Sequence, residues 1–92
     1  MMAENNNAPL SAAQIRAARG LLDWNQPQLA EAAKLSLPTI RRMEGPIGPS
    51  RSTAANVEAV RRAFEDAGVV FFEAGEVNSG GAGVRFKIEN SG

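Results

Sequence analysis

The sequence predicts a mainly α chain, four short helices followed by a two-stranded β extension near its C-terminal end. Three observations carry this. Helix-start signals recur at Ser11, Asn25 and Ser36; a glycine- and proline-rich block at 45–50 separates them from a longer amphipathic run; and after Gly68 the apolar period changes from that of a helix to that of a strand. At 92 residues the chain has room for one compact domain.

Residues Met1 to Pro9 are polar, Asn-rich and aperiodic, and are expected to form a disordered arm. The domain proper is expected over 10–68. Ser11 with Gln14 three residues on makes a capping box, and Leu10 before the cap can staple onto Ile15 after it. The helix runs to about Asp23 and turns Ile15, Ala18 and Leu22 inward, leaving Arg16 and Asp23 on the solvated side.

Asn25 repeats this start with Gln28, and Trp24 can staple onto Leu29, so a second helix opens near Gln26 with Leu29, Ala30 and Ala33 inward. Ser36 caps a third helix, with Leu35 stapling onto Ile40. Pro27 and Pro38 both fall in a first turn, where the missing N–H has no intrahelical acceptor to lose. Only Lys34, Leu35 and Ser36 separate these two helices, so they meet at a steep angle, which is helix-turn-helix geometry.

Gly45-Pro46-Ile47-Gly48-Pro49-Ser50 is expected to block helix for six residues. A fourth helix follows from about Thr53 to Ala67. Val57, Val60, Phe64 and Ala67 form its apolar stripe, Glu58 and Arg62 an exposed i,i+4 pair, and Gly68 suits the position just past its end. The tail, 69–92, reads as two strands, Val69 to Phe72 and Val84 to Ile88. The joining segment Ala74 to Gly83 holds four of the nine glycines and reads as a mobile loop.

Composition excludes several function classes. Without cysteine there is no disulfide, thiolate zinc site or iron–sulfur cluster, and a cytoplasmic location is expected. No stretch approaches the ~20 apolar residues of a membrane span, and the first residues do not read as a signal peptide. With neither histidine nor tyrosine, and carboxylates that are scattered, no enzyme and no cofactor is expected. Net charge is zero, but its distribution is uneven. From Ser11 to Ser52, Arg16, Arg19, Lys34, Arg41, Arg42 and Arg51 face only Asp23, Glu31 and Glu44; from Thr53 onward acids outnumber bases six to four. An anion would dock on the front half.

The stretch Gln26 to Glu44, QPQLAEAAKLSLPTIRRME, resembles the helix-turn-helix of Cro and the phage repressors, the XRE class of transcriptional regulators. It has the small residue at the fifth motif position (Ala30), an apolar residue in the turn (Leu35), Ile40 plugging the core and Met43 one turn later. The helices at Ser11–Asp23 and Thr53–Ala67 match that class's first and fourth helices; beyond Gly68 the likeness stops.

The resemblance implies a regulator that binds double-stranded DNA, with the helix at 37–44 in the major groove. Leu37, Pro38, Thr39 and Arg42 would then face base edges, with Ser36 at their head. Arg42 can fork onto guanine O6 and N7, worth about 1 to 3 kcal/mol of discrimination, and Leu37 or Thr39 can touch a thymine methyl. Gln26, Arg41 and Arg51 would hold phosphates. Arg19 and Glu44 match a structural ion pair, and Trp24 reads as a core staple. Lys34 stands where the class usually has glycine. It is strained by roughly 1 kcal/mol if the backbone there is left-handed, unless the turn is slightly altered.

Two partner classes are expected at the tail. Val69–Phe72 is apolar on both faces of a strand, so the strands can close on a second copy and give a homodimer suited to a palindromic operator. Alternatively, 69–88 binds another protein, as in an antitoxin.

Overall fold

The computed structural model describes residues 10–75 and 80–87. The expected arm at Met1–Pro9, loop residues 76–79 and Ile88 lie outside the described residues.

α1 (Ala12–Leu22) begins with both halves of the capping box: Ser11 Oγ accepts from Gln14 N–H and Gln14 Oε1 from Ser11 N–H, each at 3.0 Å. Leu10 and Ile15 are both buried, as a staple requires. The helix ends on Asp23 in the left-handed region, φ 59°, with Trp24 N–H returning to Arg19 O at 3.0 Å. α2 (Gln26–Ala33) opens with a second complete box between Asn25 and Gln28 and ends on Lys34, φ 59° and ψ 42°, with Leu35 N–H on Ala30 O at 3.0 Å. Lys34 therefore keeps the strained geometry. α3 (Leu37–Met43) is capped by Ser36, whose Oγ accepts from Thr39 N–H at 3.2 Å.

The glycine–proline block differs from expectation. It carries no α-helix, but Gly48–Arg51 winds into a 3-10 turn: Gly48 supplies a positive φ of 72°, and Pro49, buried in the turn's first residues, has no N–H to lose there. α4 (Ala54–Asp66) is capped by Thr53. Its buried residues are Val60, Ala63 and Phe64, while Val57 and Ala67 are only half-buried. Ala67 is already the cap residue, and Gly68 follows it at φ 97°. Leu22, at the last residue of α1, is likewise half-buried.

The helices share one core, with Ile15, Leu29, Ile40, Met43, Val60 and Phe64 fully buried. Phe64 is the joint of the molecule: Trp24 stacks on it at 5.7 Å and Phe71 of the tail meets it edge-on at 5.8 Å. The tail forms an antiparallel hairpin, β1 (Val69–Phe72) with β2 (Gly83–Phe86), pairing Val69 with Phe86 and Phe72 with Gly83.

β2 thus starts one residue earlier than expected and ends at Phe86. The cause is Gly83. The Phe72 ring lies so close over it that a Cβ there would meet the ring at 2.8 Å, and Gln14 Nε2 donates to the carbonyls of both Phe72 and Gly83. Any larger residue there would have to push the Phe72 ring aside.

The hairpin pairs within the chain and packs on α1 and α4. Val69 is fully buried, and Phe71 and Val84 pack on the core from the same face. The opposite face, with Val70 and Phe72, is half-buried, and the Arg85 guanidinium lies over the Phe72 ring at 5.7 Å. Phe86 is left 50 % exposed. Among the described residues, no helix is long and apolar enough to cross a membrane.

Candidate nucleic-acid interface

α3 buries Ile40 and Met43 and turns Pro38, Arg41 and Arg42 outward, at the three- and four-residue spacing of one helical face. Ser36, at the cap, is exposed; Leu37 and Thr39 are half-buried at the edges of this face. The Thr39 hydroxyl is already engaged, sharing a 2.8 Å hydrogen bond with Ser36 Oγ. Its methyl is the part left unengaged, so the exposed polar stripe is narrower than the sequence suggested.

The arginines divide by what holds them. Arg19 is bound to Glu44; Arg62 lies 3.5 Å and Arg61 3.9 Å from Glu58; Arg85 covers Phe72. Arg16 is exposed along its stem, as expected, but its Nη1 donates to Glu44 O at 2.7 Å, closing the end of α3. Among the described residues, no acid, acceptor or ring engages Arg41, Arg42 or Arg51. All three are exposed. Arg51 sits at the end of the 3-10 turn, which packs against α3.

Beneath this surface lies Glu44, whose side chain is 3 % exposed. Arg19 binds it as a fork, Nε to Oε2 at 2.7 Å and Nη2 to Oε1 at 2.8 Å, and also donates to Trp24 O at 3.0 Å. The expected ion pair is present. Its hydrogen bond to Glu44 and the carboxylate's charge raise the Arg19 pKa above the ordinary arginine value, against an opposing effect of burial. Raised in the folded state, this contribution is complete below arginine's ordinary pKa and is lost only as pH climbs past the folded value, so the Arg19 charge does not switch at working pH.

Gln26, at the start of α2, also reaches Glu44: its Nε2 donates to Oε1 at 3.1 Å. Neither this contact nor that of Arg16 is predicted by the sequence. Neither has a local signature, because the partners are 18 and 28 residues apart and belong to different helices.

The expected site residues thus fall into two groups. Ser36, Leu37, Pro38, Thr39, Arg41 and Arg42 share α3 and its cap, and Arg51 belongs to the turn packed beside it. Gln26 is tied to the far end of α3 through Glu44. No family model, curated protein or solved structure matches this chain.

Proposed function

We propose that this chain is a sequence-specific DNA-binding transcriptional regulator that lays α3 in the major groove of a palindromic operator as a homodimer. The observation that carries the reading is the partition of the arginines: those on and beside α3 are exposed and without internal partners among the described residues, whereas the others are bound. A helix with two exposed guanidiniums on one face fits the major groove, and a short helix reads few base pairs, so a two-fold pair of them supplies specificity. Arg42 reads guanine, Leu37 and the Thr39 methyl touch thymine, and Arg41, Arg51 and Gln26 hold phosphates.

Selection of bound duplexes from a random library tests this directly. Arg42→Ala is expected to relax preference at one base position per half-site, while Arg51→Ala weakens all sequences alike and flattens the salt dependence. Affinity that is unchanged between low and physiological salt refutes the reading.

The hairpin supports dimerisation through its two outer edges and the half-exposed Phe86. The same features suit a second reading, an antitoxin-like module that binds another protein. Deleting 69–92 would pull Val69 from the core, so Phe86→Lys is the cleaner probe. Light scattering that shows a dimer becoming a monomer supports the first reading; a wild-type monomer that binds no duplex supports the second.

A further inference from the structure

A glutamine carboxamide has two orientations of nearly the same shape, one offering two N–H donors and the other an acceptor oxygen. Its neighbours choose between them. At Gln26 the neighbour is the buried Glu44 carboxylate, with Gln26 Nε2 at 3.1 Å from Oε1. The flipped amide would set its oxygen against the carboxylate, two acceptors with no proton between them, so the nitrogen is held toward Glu44.

Glu44 can perform this task because Arg19 neutralises it. The guanidinium occupies both carboxylate oxygens, at 2.7 and 2.8 Å, and leaves Oε1 room for one further donor. The carboxylate therefore orients Gln26 without adding net negative charge to a surface that must accept an anion.

One hydrogen of Gln26 Nε2 is committed to Glu44, and the other has no acceptor among the described residues. Gln26 is half-buried in the first turn of α2, beside the helix N–H groups that also favour an anion. We propose that Glu44 is a positioning residue of the DNA interface: through its hydrogen bond it fixes the Gln26 carboxamide so that the second amide hydrogen meets a backbone phosphate. This rests on the DNA-binding reading above. Glu44 is also the cap residue of α3, and its backbone carbonyl accepts from Arg16 Nη1 of α1, so the residue that aims Gln26 also closes the helix proposed to read the bases.

A phosphate contact is independent of sequence, so a short random-sequence duplex at low salt is a sufficient probe. Two measurements test the proposal. In the side-chain amide NMR spectrum of the wild-type protein, one Gln26 proton is expected downfield and slow to exchange, and added duplex should shift the other. Gln14, whose Nε2 is committed to Phe72 O and Gly83 O, serves as an internal control that stays put.

The second measurement is a double-mutant cycle. Gln26→Ala should weaken duplex binding about tenfold, the scale of a hydrogen bond to a charged acceptor. Glu44→Gln should weaken it comparably by itself and by less than about twofold in the Gln26→Ala background, because its effect passes through Gln26. An equal loss in both backgrounds would make Glu44 scaffold alone and overturn the proposal. Should Glu44→Gln fail to fold, the wild-type spectrum still decides: a duplex that moves the α3 backbone resonances but neither Gln26 amide proton overturns it. If duplex moves no resonance at all, the DNA-binding reading falls first.

Discussion

The two short connectors of the helical domain, Asp23-Trp24-Asn25 and Lys34-Leu35-Ser36, have nearly the same backbone and opposite uses. Each opens with a non-glycine residue at φ 59°, continues with an apolar residue whose N–H returns five residues back, and ends with a cap for the next helix. A proline follows two residues after the cap in both. The apolar residue closes one helix and staples the next.

The first connector turns inward: Trp24 stacks on Phe64, its carbonyl accepts from Arg19, and Gln26 beyond it is held by Glu44. The second turns its following residues, Leu37 and Pro38, toward the surface that carries Arg41 and Arg42. Local grammar builds the turn; the next one or two side chains decide whether it serves the core or the surface.

This difference predicts unequal losses when the shared middle residue is removed. Trp24→Ala should cost about 3 kcal/mol, since it deletes the ring on Phe64 and loosens the joint between helices and hairpin. Leu35→Ala should cost about 1 kcal/mol, because Leu35 is half-buried and packs only at the core's margin. Denaturant midpoints would measure both. Equal losses would mean that the connectors are interchangeable after all.

The caps should differ in the same direction by less. Asn25 and Gln28 satisfy two N–H groups reciprocally, at 2.7 and 2.8 Å, whereas Ser36 satisfies one at 3.2 Å and its partner Thr39 only shares a hydroxyl bond with it. Asn25→Ala is expected to cost about 1 to 2 kcal/mol and Ser36→Ala about 0.5 to 1 kcal/mol, read from thermal unfolding. A larger loss at Ser36 would show that the cap of α3 is tied to more than its own first turn.

Legibility follows the same division. Caps, staples and prolines act over three to five residues, so the starts of α1, α2 and α3 could be read one residue at a time. Arg19 with Glu44 was reached by resemblance, since nothing local pairs them. The bond from Gln26 to Glu44, and the outward direction of Arg41 and Arg42 against the inward hold on Arg16, depend on how three helices cross. In the tail, alternation placed both strands but not the start of β2, because Gly83 joins it beneath the Phe72 ring and within reach of Gln14 from α1. Helical register was written locally; pairing and electrostatic partnership were not.

The finest test of the comparison lies at the left-handed residues that open the connectors. Asp23 and Lys34 share φ 59° and similar ψ, 33° and 42°. Any side chain with a Cβ is strained there, but aspartate visits this region more readily than lysine because its short polar group can bond locally. Neither residue is held by a side-chain hydrogen bond or ion pair among the described residues, and both are exposed, so replacing them removes strain without emptying the core. Glycine also gains freedom in the unfolded chain, which offsets part of the relief. The net expectation for Lys34→Gly is a gain of up to about 1 kcal/mol, visible as a rise in Tm of a few degrees for a domain of this size. For Asp23→Gly the gain should be smaller or absent. If Lys34→Gly instead lowers the Tm, the lysine must stabilise the turn between α2 and α3 in a way its backbone angles do not reveal, and the two connectors would differ in mechanics as well as in use.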